Sequence, residues 1–153
     1  EQEQPLSVYR VDGGDLSINR VTDDIDAPNG LCFSPDYSRL YVANSGAGQD
    51  IKVWEVNGTQ LQNGRVFAEL VDPTNGNRTS ADGIRCDVDG NVWAGARPGV
   101  QVVAPDGETI GVIRLPEVCA NVCFGGAKRN RLFMTASQSL YSVYVGVRGA
   151  GVA

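Results

Sequence analysis

At 153 residues, with 42% apolar and 20% charged side chains and a formal charge of −5, the chain is long enough for one domain with a sizeable core. The acidic balance argues against a duplex-nucleic-acid or anionic-membrane surface, which needs clustered Lys and Arg, and no apolar run reaches the roughly 20 residues that span a bilayer. Histidine is absent, so neither a Ser-His-Asp nor a Cys-His nucleophile can be assembled from this chain alone, nor a zinc site containing His.

In chain order, the apolar runs are short, rich in Val, Ile, Leu, Phe and Tyr, and broken by turn residues. "SVYRVD" and "LSINRV" flank Gly13-Gly14-Asp15. "GLCFS", "RLYVANS", "DIKVWEV" and "RVFAEL" follow. A second cycle reads "GIRCDVD", "NVWAGA", "VQVVAPD" and "TIGVIRL", and a third begins with "VCFGG", "RLFMTA" and "SLYSVYV". No long stretch keeps apolar residues at helical spacing, so the chain reads as all-β.

Phe33, Cys86 and Phe124 hold equivalent places, at intervals of 53 and 38 residues. Their mean falls in the window of roughly 40 to 50 residues occupied by four-stranded propeller blades. A β-sandwich is the alternative, but it leaves the recurrence unexplained. The expected organisation is a single propeller domain over 1–153, with a partial blade at 1–28, blades at 29–81 and 82–118, and an incomplete blade at 119–153. Both ends fall in mid-blade and would expose strand edges. The expectation is therefore the C-terminal part of a protein about twice as long, since propellers have about four to eight blades. The rival is that two such chains complete each other.

Cys32, Cys86, Cys119 and Cys123 are expected to be buried reduced thiols. Cys119 and Cys123 are four apart, which is not the C-x-x-C spacing of redox or zinc motifs. Trp54 and Trp93 fall in strands of different blades and read as packing residues. Asp36, Asp87, Asp89 and Asp106 read as solvent-side turn residues.

Three segments carry a family resemblance: "PNGLCFSPDYSRLYVANS", "ADGIRCDVDGNVW" and "NVCFGGAKRNRLFMTAS". Together they closely resemble the senescence marker protein (regucalcin)/gluconolactonase family, which includes luciferin-regenerating-enzyme-like proteins. The similarity runs from Val8 to Ala150. It implies a six-bladed β-propeller, about three blades of it present here, with one divalent metal ion on its axis. The implied activity is hydrolysis of sugar lactones, in which metal-activated water attacks the cyclic ester, and this chain would be the C-terminal half. The family's metal is held by an N-terminal Glu, the Asn of "PNG" and the Asp of "DG". Asn29 and Asp82 match, and the Glu has no counterpart. Asn44 stands where many members have Asp, and no role is assigned to it.

In a propeller the first strand of each blade lines the channel, so equivalent positions converge near the axis. Asn29 and Asp82 each lie four residues before their anchors, Phe33 and Cys86. They should therefore point toward one spot, offering oxygen ligands to a hard cation. Ca²⁺ is the expected ion, with Zn²⁺, Mn²⁺ and Mg²⁺ also compatible. Asp82 is the candidate catalytic residue, as metal ligand and proton acceptor. Asn121 is a substrate-binding candidate one place out of register, where a bulge could keep its amide near the site. Turn chemistry is the plainer reading of both Asn-Gly and Asp-Gly. The rival functions are a calcium-binding or regulatory propeller without catalysis and a propeller interaction scaffold. The expected partners are a sugar lactone and either the missing N-terminal half or a second chain, with no nucleic acid and no membrane. No compartment follows from the sequence; the reading leans to the cytoplasm and leaves room for an upstream signal peptide.

Overall fold

The computed structural model describes residues 4–151, which form thirteen strands and no helix. Strands β1 (Val8–Val11) and β2 (Ile18–Thr22) make an antiparallel hairpin. Four strands follow in sheet order: β3 (Pro28–Phe33), β4 (Arg39–Asn44), β5 (Asp50–Asn57) and β6 (Gln60–Glu69). The next sheet repeats this order with β7 (Ile84–Cys86), β8 (Val92–Ala96), β9 (Gly99–Val103) and β10 (Thr109–Arg114). A three-stranded sheet of β11 (Cys119–Gly125), β12 (Arg131–Ala136) and β13 (Leu140–Tyr144) closes the described chain. Within each sheet successive strands pair antiparallel, so sequence neighbours there are sheet neighbours.

Side chains alternate across a strand, and here both faces of a sheet are covered. On β4, Leu40 and Val42 face the hairpin, where they pack with Val8, Ile25 and Trp54. Their neighbours Tyr41 and Ala43 face the second four-stranded sheet, packing with Ile51, Val53, Ile84 and Val92. That sheet in turn offers Trp93, Val100 and Val102 to Val122, Phe124, Leu132 and Met134 of the three-stranded sheet. The middle strands β8 and β9 are buried along their whole length. Full burial of one such Val or Ile contributes about 1.5–3 kcal/mol, so the sheets are held mainly by their mutual faces. Sheets stacked face to face, with their first strands β3, β7 and β11 in sequential contact, are blades of a β-propeller.

The same alternation explains which residues remain uncovered. Leu31 and Phe33 are 44% and 40% exposed, because their face of β3 looks toward a hairpin of only two strands. At the other end Leu140 and Tyr144 are 67% and 71% exposed on the outer face of the three-stranded sheet. Cys123 shares that face and is exposed, which corrects the expectation of four buried thiols. Cys123 lies opposite Phe133 on β12, one position out of phase with Val122 and Phe124, which face the core. Cys32, Cys86 and Cys119 are buried and all four thiols are free.

A second correction concerns Asp87. It follows β7 at the start of a turn, yet it is wholly buried. Its Oδ1 accepts from the backbone N–H of Asp89 (3.0 Å) and of Asn91 (2.9 Å). Its Oδ2 accepts from Asn91 Nδ2 and from the indole Nε1 of Trp93, both at 2.8 Å. Four donors satisfy the carboxylate, and the turn is thereby tied to the Trp93 ring, which stacks edge-on against Phe124 at 5.3 Å. Asp36, Asp89 and Asp106 are exposed, as turn residues should be. In the β3–β4 turn, hydrogen bonds from the Ser34 hydroxyl and from the Ser38 backbone and hydroxyl hold the Asp36 carboxyl down to about 2.

Replacing Asp87 with Ala strands these donors in the core, and we expect a loss of about 3 kcal/mol or more in urea unfolding. Asp106→Ala, at an exposed turn with one backbone partner, should cost less than about 1 kcal/mol. For Asp36 the folded carboxyl lies below its ordinary value of 3.8, so its contribution is present above that value and is lost as the pH falls toward about 2. Asp36→Ala should therefore be less stable than the parent at neutral pH, and the gap should close across that acid range in parallel unfolding titrations.

Candidate functional site

The heads of the three inner strands meet backbone to backbone. The N–H of Gly30 donates to the carbonyl of Asp82 at 3.2 Å, and the N–H of Gly83 donates to the carbonyl of Ala120 at 2.8 Å. Asp82 and Gly83 are also held within their own sheet, by Asp82 N to Gly95 O (2.8 Å) and Gly95 N to Gly83 O (2.9 Å). A Cβ on Gly30 would overlap the Asp82 carbonyl, and a Cβ on Gly83 would overlap the amide of Asn121 and its Cα. Gly30 and Gly83 have no positive φ, and neither do Asn29 and Asp82. The Asn-Gly and Asp-Gly pairs are therefore not left-handed turns: glycine is needed because one blade presses on the backbone of the next.

These contacts bring Asn29, Asp82 and Asn121 into one file across three sheets. The Asn29 side chain is exposed, and its Nδ2 donates to Ser45 Oγ at 3.1 Å. The Ser45 hydroxyl in turn donates to the carbonyl of Ala81 at 3.1 Å, beside Asp82. This orients the Asn29 amide so that Oδ1 is left without a hydrogen bond among the described residues. The half-buried Asp82 carboxylate likewise has no hydrogen-bond or ion-pair partner among them. Burial pushes the Cys119 thiol up to about 11, and the negative charge of Asp82 adds to that rise.

Asn121 is exposed and packs against Gly83, its Oδ1 accepting from the N–H of Val122 at 2.8 Å. The pairing of β11 with β12 shifts register between Cys119 and Asn121, and that of β3 with β4 shifts between Pro28 and Leu31. An irregularity thus sits at both strand heads, where it re-aims side chains.

Ser45 is the residue that sequence reading misses. Its place follows from the strand register: Pro28 pairs with Asn44, so the residue after "LYVAN" emerges beside Asn29. Asn44 itself is 1% exposed, and its Oδ1 accepts from the N–H groups of Ala27 (3.2 Å) and Gly46 (3.1 Å), so it fastens the loop.

In kind, the donors suit a hard cation: one carboxylate and one amide oxygen, both uncommitted. In number they fall short of the 6–8 oxygens of a full Ca²⁺ shell, and no group of three His, Cys, Asp or Glu gathers among the described residues.

The inter-sheet contact itself can be tested. Gly30→Ala must push β3 away from Asp82 and should destabilise the chain by about 1–3 kcal/mol. Gly146→Ala, with nothing within 4 Å of the added carbon, should leave the urea midpoint nearly unchanged.

Comparison with known proteins places this geometry in context. Residues 1–138 match the SMP-30/Gluconolactonase/LRE-like region. The gluconolactonase of Zymomonas mobilis is 34% identical over 137 residues, covering 84% of this chain and 38% of that protein. The solved gluconolactonase of Xanthomonas campestris superposes with a TM-score of 0.80 at 31% identity, over 94% of this chain and 44% of that one. A calcium-binding protein, regucalcin, of Agrobacterium tumefaciens shares the fold with a TM-score of 0.76 at 21% identity, over 95% of this chain and 53% of that one. The chain thus spans about two fifths to half the length of these proteins. From the match over residues 1–138 and the blades it forms, the chain belongs to the SMP-30/gluconolactonase/LRE-like family.

Proposed function

We propose that this chain is the C-terminal half of a metal-dependent hydrolase of sugar lactones, and that Asn29, Asp82 and Asn121 are its share of the active site. One observation carries the reading. Among the described residues the Asp82 carboxylate and the Asn29 Oδ1 are both without partners, on strand heads held together by the Gly30–Asp82 hydrogen bond. The Asp87 and Asp36 carboxylates, by contrast, are taken up by neighbouring donors, while another unpartnered carboxylate oxygen, Asp50 Oδ1, is buried and away from the open strand heads. An uncommitted pair of oxygen donors at this place is what a cation site needs. The 34% identity to a gluconolactonase supports the substrate class.

Asn29 and Asp82 would hold the ion, a divalent cation with Ca²⁺ first, and Ser45 would fix the Asn29 amide. When bound, the cation supplies charge that polarises an ester carbonyl and stabilises the oxyanion formed as water attacks. Asp82 supplies the negative charge that retains the ion and a carboxylate oxygen able to accept a proton from the attacking water. Its basicity is lowered by any neighbouring cation. The Asn121 Nδ2, its Oδ1 already held by Val122, is a donor for a sugar oxygen. The remaining ligands come from outside this chain: the rest of the propeller, or a second chain, which would also cover Leu31 and Phe33 at one end and Leu140 and Tyr144 at the other.

The test is hydrolysis of a sugar lactone such as gluconolactone, with and without added Ca²⁺, alongside calorimetric titration of Ca²⁺. Asp82→Ala should weaken Ca²⁺ binding and lower turnover about 100-fold or more. Full cation-dependent turnover in that variant would refute the assignment. Ca²⁺ binding that depends on Asp82 without any turnover would favour the calcium-binding alternative.

A further inference from the structure

We propose that Cys32 and Cys86 form a modification site, joining under oxidation as a disulfide that locks the inner strand of one blade to that of the next. The two thiols come from β3 and β7 and lie in the same core between the four-stranded sheets, 8% and 5% exposed. Their strands are fastened at the head by the Gly30–Asp82 backbone bond, which holds the two inner strands side by side with both cysteines facing one core. Both border a cavity of about 310 Å³, lined also by Leu31, Phe33, Tyr37 and Arg85, which gives a small oxidant a way in. The other two cysteines have no such partner: Cys119 donates its thiol to the Asn121 carbonyl at 3.4 Å, and Cys123 faces outward from the last sheet.

The reaction needs a two-electron acceptor, either a low-molecular-weight disulfide or an azodicarboxamide such as diamide. With diamide, one thiolate adds to the N=N bond and the second attacks the sulfur so bound. An S–S bond forms, the S–N bond breaks, and the reduced hydrazine leaves with both protons. The neighbouring Cys86 thiol, and then burial, hold the Cys32 thiol well above the ordinary thiol range. Thiolate is therefore scarce at neutral pH, and pairing should accelerate as pH rises.

The experiment treats the folded chain with diamide, quenches it in acid, alkylates the remaining thiols and maps tryptic peptides. Cleavage at Arg20, Arg39, Arg85 and Arg114 puts Cys32 in peptide 21–39 and Cys86 in peptide 86–114, while Cys119 and Cys123 share a third. We expect the first two peptides to be joined, the join to vanish on reduction, and free thiols to fall from four to two. A Cys123→Ser chain should give the same join, and the joined chain should keep the mass of a single chain before digestion, which removes exchange through the exposed thiol and intermolecular pairing as its source. Oxidised chain should also unfold at a higher temperature than reduced chain. Cys32 and Cys86 both remaining alkylatable after treatment at alkaline pH would overturn the proposal. So would a join found only after the chain has been unfolded in urea.

Discussion

The contact on which the molecule depends is the approach of one inner strand to the next at Gly30 and Gly83. Two backbone hydrogen bonds, Gly30 N to Asp82 O and Gly83 N to Ala120 O, cross between sheets there. Elsewhere the sheets are joined mainly by apolar faces, which are strong but not directional. Apolar packing alone would tolerate small slides of one blade over another. The crossing bonds remove that freedom at the end where Asn29, Asp82 and Asn121 stand. Glycine is required at both positions because any side chain would occupy the space taken by the neighbouring backbone.

Much of this architecture could be read from the sequence, because strand runs, turn residues and alternation are local signals. Each of the thirteen runs became a strand, although β6 starts at Gln60, ahead of "RVFAEL". What could not be read were properties of contact between blades. Asn-Gly and Asp-Gly look like turn formers in a string of letters, and only the neighbouring strand reveals why glycine is there. The exposure of Cys123 likewise depends on which face of β11 has a neighbour, which its flanking residues do not record.

Uncovered residues follow the same logic at larger scale. Leu31 and Phe33 belong to the type of strand that is buried wherever a full sheet lies against it, as Val122 and Phe124 are on β11. Their exposure reflects what faces them rather than their own character. Arg131, stacked over Phe133 and Tyr144 at 5.0 and 5.5 Å, shields part of the opposite open face with a charged group. An apolar face so flanked can be kept in water, while still offering the shape of a blade to another sheet.

Asp82 and Asp87 make the final distinction. They lie on either side of the short strand β7, and nothing in their residue type separates them. Asp87 is wholly buried and receives four donors, among them the Trp93 indole. Its charge is consumed in holding a turn. Asp82 is half-buried, receives none among the described residues, and spends its backbone rather than its side chain on the fold. A partly desolvated carboxylate left without donors is unfavourable in isolation. It gains most from a positive charge, and the backbone bonds that fix its position also spare it the entropy of moving to meet one. The fold thus positions Asp82 without using up its charge, and that separation of tasks is what makes it suitable for binding and chemistry.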